Sequence, residues 1–444
     1  MNKIDFKKQW DTFQIGQQPD WPNKQEYQNV INQLSQYPKI VNEQEIQLLK
    51  RELKQVNQRK SFVIQGGDCA ETFKNFNSNS IKNKLKILLQ MSAIIQYTSK
   101  IPVNIIGRIA GQYIKPRSQQ SETRNGDTLP SYRGDGVNSI EFNKTLRQAN
   151  PNRLITAYHQ SSSAMNLIRS LIMQGYTDIN QIESWEKIFL QNKKLEEKYN
   201  LIVNNIRETL QFATASHIIH PALKNFYISH ESLLLDYENA FVFQGNNNKH
   251  YCCSSHMLWV GDRTRSLDSA HVKFASLINN PIGLKIGPQI NIDDINLLCD
   301  KINPTNKEGK LTLIIRLGEN NIEEILPKLI SKIKYYGHNV IWFCDPMHGN
   351  TIRAKNGYKT RHFNTIMNEL KLFFQIHHEN ETTPGGVHLE LTGENVTECL
   401  GGINNIKDED LDVRYETTCD PRLNNEQSLE VAFLIADLLK KGSQ

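Results

Sequence analysis

Short runs of apolar residues, each followed within a few positions by charged or polar residues, recur along most of the chain. The run VIWFCDPMHGN, Val340 to Asn350, begins with β-branched and aromatic residues and then changes to Asp345, Pro346 and His348. An uninterrupted apolar run of this length predicts a buried strand. In parallel α/β folds the carboxyl ends of such strands carry the chemistry, so we expect functional residues at the end of this run.

Seven other runs have the same form, which makes eight predicted strands. In chain order they are SFVIQGGDCAE, PVNIIGRIAGQYIKPRS, NFYISHESLLL, HMLWVGDRTR, NPIGLKIGP, LTLIIRLGEN, NVIWFCDPMHGN and PGGVHLELTG. Helical apolar spacing separates most of them, near residues 81–97, 269–278, 292–301, 322–335 and 360–377. Eight alternating strand–helix units predict an α/β fold, the (β/α)8 TIM barrel, with its active site at the carboxyl face.

Two parts of the chain exceed what a barrel needs. Residues 1–60 are polar, with a helix predicted at about Glu43 to Gln55, and we interpret them as an N-terminal extension packed on the barrel. The stretch from about 161 to 213 has helical spacing over a greater length than a crossover requires, which predicts an inserted helical pair. The catalytic barrel is therefore assigned to 61–444, with a last helix at 427–439.

Composition and charge narrow the classes of function. The 444 residues are 38% hydrophobic, which is typical of a globular chain. The 52 Lys and Arg nearly balance the 47 Asp and Glu, so we expect no nucleic-acid partner, while small anionic substrates stay open. Seven scattered cysteines without a secretory signal indicate a reducing compartment, and no run is long enough to span a membrane. These features predict a cytoplasmic enzyme without a membrane partner.

The polar residues near the strand ends fall into two chemical groups. The possible metal ligands are Cys69, His348, His388, Glu390 and Asp420, and the possible anion-binding residues are Arg108, Lys115, Arg117, Arg263, Lys285 and Arg316. A mixed set of thiolate, imidazole and carboxylate donors suits Mn²⁺, Fe²⁺, Co²⁺ or Zn²⁺ better than Mg²⁺ or Ca²⁺. The many cations indicate substrates with several phosphate or carboxylate groups.

Each of these residues, taken alone, also has a structural explanation. Cys69 could be a small buried hydrophobic residue, and Asp420 could cap the turn before Pro421. Arg263 and Arg316 could each pair with a carboxylate of the core. However, charged residues at the ends of so many apolar strands would be costly to bury without a shared ligand, and this favours a common site.

Eight segments resemble, in order, the type II 3-deoxy-D-arabino-heptulosonate 7-phosphate (DAHP) synthases. They are GGDCAE, GRIAGQYIKPRS, SHESLLL, HMLWVGDRTR, NPIGLKIGP, CDPMHGNT, PGGVHLELTGENVTECLGG and YETTCDPRLNNEQSLE, and the resemblance extends from about Trp10 to the C-terminus. It implies a barrel with an N-terminal extension and an inserted helical pair. It also implies a reaction in which phosphoenolpyruvate, erythrose 4-phosphate and water give the seven-carbon phosphate and inorganic phosphate. This reaction is the entry step of the shikimate pathway to chorismate and the aromatic amino acids.

The resemblance implies roles for particular residues. The metal ligands would be Cys69, His348, Glu390 and Asp420, with Mn²⁺ or Co²⁺ expected and Zn²⁺ or Fe²⁺ as alternatives. Phosphoenolpyruvate would be bound by Arg108, Arg263, Lys285 and Arg316 beside Trp259 and Asp262, and erythrose 4-phosphate by Lys115, Pro116, Arg117 and Ser118. The catalytic candidates are Lys285, Arg263 and Asp262, and which group handles the proton of the water stays open.

One residue departs from the pattern of the family. The family usually reads GERTR where this chain has GDRTR, so Asp262 carries a side chain that is one methylene shorter. A contact from its carboxylate could therefore be lost or be made through water.

Two other functions stay open. The same reaction could serve a secondary-metabolite pathway, although the family uses the extension and the insertion for assembly and feedback. A catalytically inactive regulatory relative is the second alternative, and the four intact ligand positions argue against it. We expect a homo-oligomer, a dimer or tetramer, that is inhibited by aromatic amino acids.

A redox hypothesis follows from the position of Cys419. If Cys69 and Asp420 bind one metal, Cys419 could come within disulfide reach of Cys69 once the metal leaves. Mild oxidation would then inactivate the enzyme reversibly, and bound metal would protect it. Alternatively, Cys419 points into the barrel wall and never meets Cys69.

Overall fold

Eight parallel strands close into a barrel in which each strand pairs with its neighbours in the chain and the last strand pairs with the first. The computed structural model describes residues 3–176, 193–215 and 225–442. The strands are β1 (Phe62–Gly67), β2 (Val103–Arg108), β3 (Tyr227–Glu231), β4 (Met257–Val260), β5 (Ile282–Ile286), β6 (Leu311–Ile315), β7 (Val340–Cys344) and β8 (Pro384–Glu390). The predicted (β/α)8 barrel and its eight strands are confirmed.

The strands form where the sequence is continuously apolar because they are covered on both sides. Every residue of β1 and of β3 to β7 is buried, between the packed interior of the barrel and the helices around it. Strands β1, β2 and β8 end at the same height in the barrel, because Gly67, the last residue of β1, lies opposite both Arg108 and Glu390, the last residues of β2 and β8. A side chain at Gly67 would meet the carbonyl oxygen of Arg108 at 2.6 Å, so only glycine permits this close approach.

Twelve helices are assigned within the described residues. Around the barrel lie α4 (Ser78–Ser99), α7 (Leu235–Ala240), α8 (Ala270–Leu277), α9 (Asp294–Ile302), α10 (Ile322–Tyr336), α11 (Phe363–Glu379) and α12 (Asn425–Lys441). Three helices come before the first strand, namely α1 (Lys3–Lys7), α2 (Lys24–Gln36) and α3 (Glu43–Asn57), and between β2 and β3 lie α5 (Asn152–Met173) and α6 (Lys193–Ala215). Three short antiparallel hairpins lie outside the barrel, one of them formed by Ser121–Arg124 and Asp127–Pro130.

Helix α3 closes the amino-terminal mouth of the barrel. Its Leu49, Leu53 and Val56 belong to one apolar cluster with residues that fill the barrel interior, such as Val63 and Phe343. The helix begins with a capping box, in which the side chains of Asn42 and Glu45 each accept a hydrogen bond from the backbone N–H of the other. The segment before the first strand is therefore bound to the barrel through its floor.

The sequence interpretation left α2 unrecognised. Residues Lys24–Gln36 form a helix that starts at the N-cap Asn23 and buries Val30, Ile31 and Leu34. The insertion also begins earlier than the predicted position 161, because α5 starts at Asn152. Residues 177–192 lie outside the described residues, and IESWEKIFLQ, a part of the predicted helical insertion, falls there.

Candidate active site

The four residues predicted as metal ligands meet at the carboxyl rim of the barrel. Cys69 follows β1, His348 follows β7, Glu390 ends β8, and Asp420 lies in the loop before α12. The Nε2 atom of His348 is 3.0 Å from Oε1 of Glu390, and the Sγ atom of Cys69 is 3.6 Å from Oδ2 of Asp420. The donor atoms of His348, Glu390 and Asp420 all lie within 4.8 Å of one another. The same holds for Cys69, Cys419 and Asp420, so Asp420 joins both groups into one cluster.

Asp345 fixes the orientation of His348. The Nδ1 atom of His348 lies 2.7 Å from Oδ2 and 3.0 Å from Oδ1 of the fully buried Asp345. Burial would raise the pKa of Asp345, but His348 and Lys285 outweigh it and hold that pKa well below its usual range. With Nδ1 engaged by this carboxylate, Nε2 is the nitrogen that faces the cluster, as in many metal sites with a carboxylate–histidine pair.

Buried cations keep the two ligand carboxylates ionised. Glu390 accepts hydrogen bonds from Arg108 at 3.1 Å and from Arg361 at 2.8 Å, and all three side chains are fully buried. Burial would raise the pKa of Glu390, but His348, Arg361 and Arg108 lower it well below its usual range. Burial and Glu390 likewise oppose the ionisation of Asp420, whose pKa is nevertheless lowered by Lys359, Lys115 and Arg361.

These donors fit a divalent transition metal. The cluster offers the thiol sulfurs of Cys69 and Cys419, one imidazole nitrogen and two ionised carboxylates, which is a mixed donor set suited to Mn²⁺, Fe²⁺, Co²⁺ or Zn²⁺.

His388, the fifth candidate ligand by residue type, lies outside the cluster. Its Nε2 is 2.5 Å from a terminal nitrogen of Arg108, and its Nδ1 is 2.7 Å from the side-chain oxygen of Gln65. Burial, Lys285 and Arg108 lower the pKa of His388 well below its usual range, so the ring is neutral. It therefore accepts a hydrogen bond from Arg108 and donates one to Gln65, and it helps to position Arg108.

A cleft beside the cluster contains most of the predicted substrate-binding residues. It is lined by Lys115, Pro116, Glu231, Trp259, Gly261, Asp262, Arg263, Lys285, Arg316, His348 and Asp420. Arg108 does not line the cleft. It is fully buried, and its guanidinium carbon lies 5.3 Å from the ring centroid of Trp259. Arg117 and Ser118 follow at the rim, where Ser118 accepts a hydrogen bond of 2.8 Å from Arg263.

The shorter side chain of Asp262 makes its contacts directly. One carboxylate oxygen accepts from Arg316 at 2.8 Å, and the other accepts from Arg265 at 2.8 Å and from the backbone N–H of Gly287 at 3.0 Å. Arg316 also donates to the backbone oxygen of His348 at 3.1 Å. This hydrogen bond connects the cleft to the loop after β7 that carries His348. Burial opposes the ionisation of Asp262, but Arg265 and Arg316 lower its pKa.

Several residues of the site were not assigned from the sequence. Glu231, at the end of β3, lies in the cleft, and its Oε1 atom is buried without a hydrogen-bond partner among the described residues. Its place at the end of an apolar run was a usable signal. Arg361 and Lys359 bind Glu390 and Asp420 and follow no such run, since Lys359 belongs to the short hairpin strand Lys359–Thr360 and Arg361 follows it directly.

A parallel barrel whose carboxyl rim joins a metal-ligand cluster to a cation-lined cleft defines a metal-dependent enzyme for anionic substrates. The chain belongs to the class-II DAHP synthetase family, whose model matches residues 5–436. It is accordingly a transferase that acts as a DAHP synthase, at the first step of the shikimate pathway. Enzymes of this family are metal-dependent and use phosphoenolpyruvate and erythrose 4-phosphate.

Two relatives are similar over nearly the whole chain. A phospho-2-dehydro-3-deoxyheptonate aldolase of Streptomyces coelicolor is 43% identical over 434 residues, which are 97% of this chain and 96% of the relative. The aldolase AroG of Mycolicibacterium smegmatis is 43% identical over 433 residues, 96% of this chain and 92% of the relative. A solved structure of the aldolase from Francisella tularensis SCHU S4 has a TM-score of 0.47 at 11% identity, over 96% of this chain and 99% of its own. Within the described residues, no helix combines the length and the apolar character that crossing a membrane requires.

Proposed function

We propose that Cys69, His348, Glu390 and Asp420 bind one divalent metal ion, Mn²⁺ or Co²⁺ by preference, beside the two substrates. The observation that carries this proposal is the convergence of these four donors at the edge of a cleft lined by Lys115, Lys285 and Arg316. When bound, such a metal supplies Lewis acidity toward the aldehyde oxygen of erythrose 4-phosphate.

Phosphoenolpyruvate is assigned to the inner part of the cleft. Lys285 and Arg316 lie there next to His348, and Arg263 stands at the entrance. Asp262 holds Arg316 in place at 2.8 Å, so this guanidinium is oriented before the substrate arrives. Arg108 lies behind Trp259 and borders the same region of the cleft. Hydrogen bonds to Glu390, His388 and backbone oxygens hold its guanidinium group in place.

Erythrose 4-phosphate is assigned to the segment Lys115–Ser118. Arg117 is fixed by an ion pair of 3.0 Å with Glu122, which belongs to the hairpin that follows this segment. Ser118 contacts Arg263 at 2.8 Å, so the two substrate subsites share a hydrogen bond. Positive side chains on both sides of this contact offset the repulsion between two phosphorylated substrates.

The reaction joins carbon 3 of phosphoenolpyruvate to the aldehyde carbon. Positive charge develops at carbon 2, water adds there, and phosphate leaves from the resulting hemiketal. Lys285 and Glu231 are the groups we assign to orienting this water. Lys285 is held 3.3 Å from Asp345, and Glu231 presents an oxygen without a partner among the described residues.

Regulation and assembly are further parts of the proposal. We infer a homo-oligomer, a dimer or tetramer, that is inhibited by aromatic amino acids and works in the cytoplasm. Helices α5 and α6 support an interface between copies, since their side chains Met173 and Leu201 are 88% and 62% exposed. An interface that covered both side chains would remove their apolar surface from water.

A metal-dependent assay of phosphoenolpyruvate consumption tests the proposal. Metal-stripped enzyme should be inactive and should regain activity with Mn²⁺ or Co²⁺ only when erythrose 4-phosphate is present. Each aromatic amino acid is then added separately. Consumption that is indifferent to metal removal would refute the metal assignment. An enzyme without any turnover would favour the inactive regulatory relative instead.

A further inference from the structure

A second cavity lies at the opposite, amino-terminal end of the barrel and is lined by four lysines. Lys50 comes from α3, Lys249 from the loop before the hairpin strand His250–Cys252, Lys307 from the loop after α9, and Lys310 from the residue before β6. The cavity is open to solvent, and its volume is about 670 Å³ when the solvent at its mouth is included. None of its lining residues takes part in the metal cluster or in the substrate cleft.

The cavity concentrates positive charge without a countercharge. No carboxylate lines it, and none of its four lysines forms an ion pair within the part of the chain that the structure describes. The nearby Glu308 is engaged elsewhere, by Lys54 at 3.2 Å and by Gln58 at 3.1 Å. The positive charges of Lys50, Lys249 and Lys307 around one hollow repel each other, and this arrangement favours an anion between them.

Two of the ammonium groups are held in place by neutral oxygens. Lys310 is buried and donates to the backbone oxygens of Ile278 at 2.6 Å and Asn280 at 2.8 Å. Lys50 donates to the side-chain oxygen of Asn279 at 3.0 Å, and Tyr251 fixes that amide from its other side. These cations are therefore positioned before any ligand binds, as a preorganised binding site requires.

The pKa of Lys50 reflects its burial first and the neighbouring positive charges second. Burial, followed by Lys307 and Lys249, lowers the pKa of Lys50 to about 8. Burial and Lys50 together lower the pKa of Lys310 well below its usual range. In addition, the Nε2 atom of His250 is buried at the cavity without a hydrogen-bond partner among the described residues.

We propose that this lysine cavity binds a small phosphate-bearing anion. A tetrahedral oxyanion can accept hydrogen bonds from several ammonium groups at once, and the hollow admits a small molecule. Lys50 belongs to the helix that closes the barrel floor, whereas the other three lysines belong to the barrel and its loops. A bound phosphate would therefore tie α3 to the barrel and stabilise the docked N-terminal segment.

Isothermal titration of the full-length enzyme with inorganic phosphate tests the proposal. The double variant Lys249→Gln, Lys307→Gln removes two exposed charges, and Lys328→Gln, on the outer face of α10, is the matched control. We expect the double variant to bind phosphate more weakly, by on the order of tenfold for each charge removed, with unchanged turnover in phosphate-free buffer. Arg316→Ala separates binding at the substrate cleft from binding here, because it should leave the lysine cavity intact.

The source of the phosphate group is resolved by parallel titrations. Inorganic phosphate and glycerol 3-phosphate share the proposed chemistry, and tighter binding of one of them shows whether a free anion or a phosphorylated metabolite fits better. Sulfate tests whether any tetrahedral dianion suffices. Equal phosphate binding by the wild type and the double variant would overturn the proposal, and so would phosphate binding that Arg316→Ala alone abolishes.

Proton uptake and crystallography supply independent readouts. At pH 8 a bound anion should raise the pKa of Lys50, which burial and the like charges of Lys307 and Lys249 lower to about 8, so binding should take up part of a proton. The heat of binding should then depend on the ionisation enthalpy of the buffer, and Lys328→Gln should behave as the wild type. Crystals soaked in tungstate should show the electron-dense oxyanion between Lys50 and Lys307. Tungstate found only at the carboxyl rim would contradict the assignment.

Discussion

Among the four proposed ligand positions, His348 and Glu390 differ in which other residues depend on them. Glu390 lies between Arg108 and Arg361, and all three side chains are fully buried. Glu390→Ala would leave two buried guanidinium groups without a countercharge, at a cost of about 3–5 kcal/mol in stability. The side chain of His348 is 15% exposed and contacts Asp345 at the rim, so its removal separates metal binding from folding.

We expect His348→Ala to lose turnover by on the order of a thousandfold or more, because metal Lewis acidity contributes several kcal/mol. Its bound metal should fall in parallel, while its thermal unfolding stays close to that of the wild type. Metal content by mass spectrometry and the rate of phosphoenolpyruvate consumption are measured on the same preparation. His338→Ala, a half-buried histidine far from the rim, serves as the control. A normal rate in His348→Ala would remove it from the ligand set.

The division of the cleft into two subsites predicts opposite effects of two arginines. Arg117→Ala should raise the Michaelis constant for erythrose 4-phosphate more than that for phosphoenolpyruvate, and Arg316→Ala should do the reverse. Loss of a charge-assisted phosphate contact typically costs on the order of 2–5 kcal/mol. Steady-state kinetics with each substrate varied in turn measure both constants. Equal effects of both variants on both substrates would rule out the division.

The cysteine beside Asp420 makes the metal site sensitive to oxidation. The sulfur atoms of Cys69 and Cys419 lie within 4.8 Å of each other, so the alternative in which Cys419 points away does not hold in this structure. Metal-free enzyme that has been mildly oxidised should no longer recover activity when metal is added, and a thiol together with metal should restore it, whereas metal-loaded enzyme should be protected. Peptide mapping identifies the disulfide. Inactivation that persists in Cys419→Ser would show that another group is responsible.

At the residue scale, the sequence indicates the proposed metal ligands but not the residues that hydrogen-bond to the site and hold it in place. Cys69, His348 and Glu390 each stand at the end of an apolar run, so the barrel topology alone brings them together. Gln65 contacts His388 from the neighbouring strand, and Arg361 contacts Glu390 from the segment before α11, and these partners depend on long-range packing that no local pattern encodes.

At the scale of elements, predictability follows the strength of the local signal. The barrel strands are continuously apolar, and all eight were recognised. In helix α2 the apolar residues Val30, Ile31 and Leu34 have helical spacing. They stand among many Asn and Gln residues, which weakened the hydrophobic pattern. The hairpin that holds Glu122 turns at Asn125 and Gly126, both with positive φ, and this Asn-Gly pair was a readable signal that was not used.

The closure of the barrel floor by α3 predicts a large effect of one leucine. Leu53→Ala empties a fully buried position in the interior cluster and should lower the free energy of unfolding by about 2–5 kcal/mol. Leu297→Ala removes the same atoms from a position on α9 that is 48% exposed, and its effect should stay below about 1 kcal/mol. Chemical denaturation compares the two variants. Equal losses would show that α3 does not seal the barrel.

At the scale of the whole molecule, buried histidines set the response of the fold to acid. Burial lowers the pKa of His377 to about 3, and burial with Arg169 does the same for His256. In the unfolded chain a histidine titrates near pH 6.5. Between these values the unfolded state binds a proton that the folded state does not, so the stability falls as the pH is lowered. This contribution is fully present above about pH 6.5 and is lost progressively toward pH 3.

His377→Phe should make the fold less sensitive to acid. The ring of His377 packs against Trp342 and Phe373, with centroids 5.3 Å and 4.5 Å away, so phenylalanine can occupy the same space. The variant loses a hydrogen bond to Thr382, which lowers its stability at neutral pH, but between pH 6 and 4 its free energy of unfolding should fall less steeply. The difference in slope should approach about 1.4 kcal/mol per pH unit, the value for one proton. Denaturant unfolding at several pH values measures these slopes, with the exposed His378→Phe as the control. Parallel slopes for the wild type and His377→Phe would show that this histidine is already protonated in the folded protein.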